Sequence, residues 1–196
     1  MLLLGNVLDA TYLDVAKISF KSGPVYLAQS AQLILEILEP IVAREKRVVE
    51  LDIPADLRIW VDELRMRQVL LNLLGNALKY TPSGTPIALR AESLSLAHFW
   101  QRYPEVRFQK ETAADVFVVL TVRDWGPGIS PAEQAQLFTR FTRLESARRS
   151  SQPGAGLGLY LCKQLIEAMS GSIWMESSGL SGEGVTFFVV FPRYIV

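Results

Sequence analysis

The sequence holds one cysteine, Cys162, and one histidine, His98, in 196 residues. A lone cysteine excludes an internal disulfide, and the two residues together leave no Cys/His cluster for zinc. So little cysteine points to a reducing compartment. No sign of charge dominates: Lys plus Arg and Asp plus Glu number 20 each. That balance gives no electrostatic reason to bind nucleic acid or an acidic membrane surface. Long hydrophobic runs are missing too. The apolar start Met1–Leu4 is interrupted by Gly5, Asn6 and Asp9. It is too short for a membrane span and has no basic leader. A membrane anchor elsewhere in a longer parent protein stays compatible with this. No internal repeat or low-complexity tract is visible. What remains is 49% hydrophobic and 20% charged, the balance of one globular domain with a short appendage.

Leu4, Leu8, Thr11, Val15 and Ile18 recur at helical spacing, so residues 2 to about 19 read as a helix, ended by Ser22-Gly23-Pro24. After an extended piece at Pro24–Tyr26, a second helix is expected from about Leu27 to Glu45. Val48–Ile53 and Leu57–Val61 read as strands. Asp62 is placed to cap a helix through Lys79, which Thr81-Pro82-Ser83-Gly84 stops. Pro86–Glu92 and Val116–Arg123 read as strands, and Ser93–Asp115 between them resists assignment. A short helix is expected at Pro131–Phe138, an Arg-rich mobile loop at Thr142–Pro153, and a helix at Leu157–Met169. Strands at Ser172–Glu176 and Val185–Phe191 close the chain. Mixed elements without strict alternation predict an α+β sandwich.

Four segments carry chemistry, and each alone is open to a plainer reading. On the helix after Asp62, Gln68, Asn72, Asn76 and Lys79 follow one another at spacings of four, four and three, so they share a face amid leucines. A solvated face usually carries Glu and Lys, and Asn is a poor helix former. Carboxamide oxygens suit Mg²⁺ and a neighbouring Lys suits phosphate. Asp124-Trp125-Gly126-Pro127-Gly128-Ile129 follows an apolar strand. Its glycines permit close backbone approach, and its carboxylate suits an exocyclic amine such as that of adenine. An ordinary Asp-Gly turn is the plainer alternative. Gly154-Ala155-Gly156-Leu157-Gly158-Leu159 opens a helix and presents amides to an anion. It is neither a Walker loop nor the dinucleotide fingerprint. Gly182-Glu183-Gly184-Val185-Thr186-Phe187 reads as a hairpin turn into the last strand. Between the second and third segments, Phe138 and Phe141 read as core anchors. Arg143, Arg148 and Arg149 read as solvated charge or phosphate clamps.

In this order the segments resemble the ATP-binding domain of sensor histidine kinases, within the Bergerat-fold superfamily. Asn72–Tyr80 is similar to the N box, Asp124–Gly128 to the first Gly box and Phe138–Phe141 to the F box. Gly154–Gly158 is similar to the second Gly box, and Gly182–Thr186 to a final Gly–Thr element. The resemblance covers about residue 24 to the C-terminus. It implies a two-layer sandwich, a mixed sheet covered on one face by helices, with a flexible lid closing over ATP. Asn76 would be the principal Mg²⁺ ligand with Asn72 beside it. Lys79 and Tyr80 would contact phosphates. Asp124 would recognise the adenine amine, helped by Thr186. Gly154, Gly156 and Gly158 would lie near the phosphates and Arg143 near the γ-phosphate. Gly126, Gly128, Ile129, Phe141 and Leu157 would complete the pocket.

The related ATPases of the superfamily place a Glu where this chain has Asn72, and an amide cannot act as that general base. The resemblance therefore implies slow hydrolysis and transfer of phosphate to a protein side chain. The acceptor His of the family lies on an upstream dimeric hairpin. His98, followed by Phe99 and Trp100, sits instead in the unassigned stretch and reads as a surface residue. Residues 1–22 read as the tail of that hairpin and residues 23–196 as the catalytic domain. The chain is thus expected to be a fragment that binds ATP without autophosphorylating. Its expected partners are the His-bearing dimerisation domain, a response regulator, and a second copy through the N-terminal helix. The expected location is the cytoplasm, with no membrane contact by this domain. An ATP-binding interaction module without phosphotransfer is the alternative reading, and a self-contained ATPase a third.

Overall fold

The computed structural model describes residues 19–109, 114–142 and 156–193. The expected N-terminal helix, the Arg-rich loop with Arg143, Arg148 and Arg149, and Gly154 lie outside the described residues.

Strand β1 (Ser22–Tyr26) pairs antiparallel with β3 (Arg58–Asp62), from Ser22↔Asp62 to Tyr26↔Arg58. Helix α1 (Leu27–Arg44) buries Leu27, Ala31, Ile34 and Leu38, one helical stripe, against helix α2 (Glu63–Tyr80). Asp62 caps α2 as expected. Its Oδ1 accepts the Arg65 amide at 3.1 Å, while Oδ2 accepts the Lys21 amide at 2.8 Å.

Strands β2 (Val49–Asp52), β4 (Ile87–Ser95), β5 (Val116–Asp124), β7 (Val185–Arg193) and β6 (Ser172–Glu176) form a sheet in that spatial order. Only β2–β4 is parallel. Helix α5 (Gly158–Ala168) joins α1 and α2 on one face. Pleating turns Val118, Leu120 and Val122 of β5, with Phe187, Val189 and Phe191 of β7, toward this helical layer. These alternations make the mixed α+β sandwich that the sequence implied.

The opposite face is covered as well. Residues 93–115, unassigned from the sequence, extend β4 to Ser95 and then form helix α3 (Leu96–Arg102). Phe99 of α3 stacks on Phe117 of β5 at 4.3 Å, and Tyr103, Val106, Val119, Phe188 and Val190 complete a second core. The stretch that the sequence left unassigned thus holds a helix packed on the domain. His98 is exposed in its first turn, with Nδ1 3.0 Å from the capping Ser95 hydroxyl.

The helix expected at Pro131–Phe138 is shorter. Helix α4 (Pro131–Gln134) gives way to i→i+3 bonds, Leu137 N–H to Gln134 O at 3.2 Å and Thr139 N–H to Gln136 O at 3.0 Å. Such tighter turns do not sustain an α-helix. Among the described residues no helix is long and apolar enough to cross a membrane.

Candidate nucleotide site

The segments singled out in the sequence meet at one end of the sheet. α2 is pinned by its leucine side, with Leu70, Leu73 and Leu74 fully buried, so Gln68, Asn72, Asn76 and Lys79 share the half-buried face. Lys79 Nζ lies 4.8 Å from the centre of the Tyr80 ring, which is itself exposed.

α5 packs across that face. A Cβ on Gly158 would lie only 3.5 Å from Asn72 Oδ1, so the second Gly segment and Asn72 are in direct apposition. One turn on, the Cys162 thiol is fully buried and donates to the Val69 carbonyl at 4.0 Å. Burial pushes the thiol up to about 12, against the opposing pull of Asn72. It is a packed, un-ionised residue rather than a nucleophile. Leu157, at the N-cap of α5, is buried, and its apolar side chain makes no cap hydrogen bond. The first amides of such a helix are of the kind that an anion can take.

Asp124 ends β5 and is 7% exposed. Its Oδ1 accepts the Gly126 amide at 2.9 Å. Burial raises its pKa above the ordinary value. The amides of Gly126 and Val185 and the charges of Arg47 and Arg123 oppose that rise. Gly126 is pressed on the end of α2, since a Cβ there would stand 2.8 Å from the Thr81 methyl. Gly184 approaches even closer. With φ +68°, its Cβ position lies 2.0 Å from the Asp124 carbonyl oxygen, so no side chain fits. The Gly182 amide donates to Gly126 O at 2.9 Å, and the buried Ile129 donates its amide to Ser177 Oγ at 3.0 Å. Gly128 rests on Gly179 and Leu180.

Phe138 packs edge-on to Phe187, but Phe141 is 69% exposed. Reading Phe141 as a core anchor is therefore corrected: its φ of 60° ends the turn and swings the ring off the core. Gly156, with φ +69°, meets the Thr142 carbonyl, where a Cβ would be 2.5 Å away. Thr142 and Gly156 thus meet beside the start of α5.

Thr186 is not with Asp124. It pairs with Arg123, while Val185 lies across from Asp124. Successive strand residues face opposite ways, so Thr186 projects to the sheet face away from the helices. The expectation that Thr186 assists Asp124 is corrected: the site offers the Val185 amide there instead. Sequence reasoning also missed Arg47, a buried cation that acts on Asp124. An Arg that closes the charged run Arg44-Glu45-Lys46-Arg47 carries no signal separating it from surface charge.

Among the described residues no cluster of His, Cys, Asp or Glu is suited to a metal. The oxygen donors that fit Mg²⁺ are the Asn72 and Asn76 carboxamides, one turn apart on the half-buried face. Two neutral oxygens leave room for phosphate oxygens and waters, which Mg²⁺ prefers.

Residues 61–195 match the family described as histidine kinase-, DNA gyrase B- and HSP90-like ATPase. The chain belongs to that family. It is 34% identical over 193 residues to the adaptive-response sensory kinase SasA of Synechococcus sp. (strain JA-3-3Ab), covering 98% of this chain and 45% of that protein. It therefore spans less than half the length of such relatives. Full-length ShkA, solved in complex with AMPPNP, superposes with TM-score 0.73 at 26% identity, over 98% of this chain and 35% of ShkA. The mycobacterial sensor histidine kinase MprB superposes with TM-score 0.65 at 24% identity, over 89% of this chain and 99% of MprB, and shares the fold. Histidine kinase ThkA, solved with response regulator TrrA, shares it at TM-score 0.69 and 21% identity, over 97% of this chain and 48% of ThkA.

Proposed function

We propose that the domain binds ATP with Mg²⁺ and presents the γ-phosphate to a histidine on a separate helical hairpin of its parent kinase. The observation that carries this is the apposition of Gly158 to Asn72 and of Gly126, beside Asp124, to the Tyr80–Thr81 end of the same helix. In this reading the Asp124 carboxylate, seated between two backbone amides, accepts the adenine amine. Lys79 and the first α5 amides take the phosphates, joined by Arg143 and Gly154 beyond the described residues. Asn76 and Asn72 offer carboxamide oxygens to Mg²⁺, which neutralises charge on the phosphates when bound. Such transfer needs mainly positioning and charge neutralisation from the protein. Asn72 supplies no base to activate water, which disfavours hydrolysis. Passing the phosphate on to a response regulator follows from the same reading, as does a cytoplasmic setting, where ATP is found. Pairing of two copies through residues 1–22 belongs to it too.

Calorimetric titration of the chain with ATP and Mg²⁺ tests the reading. One-to-one binding is expected, weakened about ten- to a hundredfold by Asp124→Asn, the range of a charged hydrogen bond. Phosphate is then expected on a supplied His-bearing hairpin. Tight binding without transfer would favour a nucleotide-sensing module, and no binding would sink the assignment of the pocket.

A further inference from the structure

Arg47 lies outside every motif, in the turn before β2, yet its side chain is 1% exposed. Its guanidinium is fully engaged. Nη2 donates to the carbonyls of Leu78 at 2.9 Å and Thr81 at 2.6 Å. Nη1 donates to the hydroxyls of Thr81 and, at 3.1 Å, Thr85, and Nε to Glu45 Oε2 at 2.7 Å. The Thr81 hydroxyl in turn donates to Ala77 O at 2.6 Å, and the Gly84 amide donates to Glu45 O at 2.9 Å.

The last carbonyls of a helix have no partner within it. In α2 those of Ala77 and Leu78 are taken by Thr81 and Arg47, and a cation there also complements the helix dipole. This last turn carries Asn76, Lys79 and Tyr80. The Thr81 methyl is also the group on which Gly126 rests, two residues past Asp124. One side chain therefore fastens the metal- and phosphate-facing end of α2 and, through Thr81, the turn of the adenine acceptor. Neither contact is local, since 31 and 34 residues separate Arg47 from Leu78 and Thr81.

We infer that Arg47 is a positioning residue of the nucleotide site, joining the end of α2 to the Asp124–Gly126 turn through Thr81. The inference rests on the ATP-binding reading above. A residue that merely stabilised the fold would affect affinity no more than any equally destabilising change. Arg47→Met is therefore compared with Val190→Ala, in the core on the other face of the sheet, after ranking both by melting temperature.

In calorimetric titrations with ATP and Mg²⁺, folded Arg47→Met is expected to bind at least tenfold more weakly than the unsubstituted chain. Val190→Ala is expected to stay within about twofold. Arg47→Lys keeps the charge but not the fork, and is expected to fall between them. Arg47→Met within twofold of the unsubstituted chain would overturn the inference. So would Val190→Ala losing as much affinity at an equal loss of melting temperature. If Arg47→Met does not fold, Arg47→Lys decides, and unchanged affinity there overturns the inference. Failure of the unsubstituted chain to bind ATP would instead remove the reading beneath it.

Discussion

Asp124 is costly to keep where it is. Burial holds its folded-state pKa above the ordinary 3.8, so the folded chain binds that proton more tightly than the unfolded chain does. The resulting stability is fully present below pH 3.8 and is lost as pH rises through the raised folded value. At neutral pH the carboxylate is then a net burden on the fold. Asp124→Asn is expected to raise the melting temperature at pH 7 while weakening ATP binding, with the gain shrinking toward zero near pH 3 (an acid range set by about 3.8, the ordinary carboxylate value). A lower melting temperature at pH 7 would show that the two backbone amides outweigh burial. The residue scale was also where the sequence was least explicit. Asp124, Asn72 and Asn76 announce themselves because their types are out of place on a strand end and a leucine-rich helix. Thr186 was misplaced because a one-residue shift reverses the face of a strand, and only the pairing with Arg123 fixes that. Arg47 was invisible because, Glu45 apart, its partners are carbonyls and threonine hydroxyls 31 to 38 residues away, a pairing that no local pattern labels.

At the scale of elements, α1, α2 and α5 were legible because their apolar stripes repeat at helical spacing, and α2 and α5 stop at Thr81-Pro82 and Ser170-Gly171. α3 was not. Its seven residues carry Phe99 and Trp100, aromatics that strands also favour, and a single buried residue, Phe99, makes no stripe. The Gly turns were read as turns, but their main role is closeness. Gly184→Ala would force a methyl into the Asp124 carbonyl. It is expected to cost about 1–3 kcal/mol in denaturant unfolding, from left-handed backbone strain alone. ATP affinity should fall with it, because the displaced element is the end of β5. Unchanged stability and affinity would mean that β5 and β7 part there at little cost.

At the scale of the whole molecule, a single sheet serves two cores that share no side chain. The helical layer shapes the nucleotide site, and the aromatic layer around Phe99 closes the far face. Phe99→Ala is expected to cost about 3–5 kcal/mol of stability, as for other buried aromatics. Folded molecules should keep their ATP affinity, so titration below the melting transition separates the two cores. A parallel loss of affinity would show that they are coupled through the strands.

The added helix also sits at a particular point in the sheet. It interrupts the β4–β5 hairpin at Ser95↔Val116, while the nucleotide end of the same hairpin is Ile87↔Asp124. Eight steps of strand, about 27 Å, separate them. Closing a longer hairpin loop costs little, since each doubling of length adds only about 0.6 kcal/mol of entropy. The aromatic burial that this loop brings far exceeds such a sum. Sequence can therefore be gained or lost at the distal tip of the central hairpin with the geometry at its other end left intact, which makes that tip the permissive place for the domain to diversify.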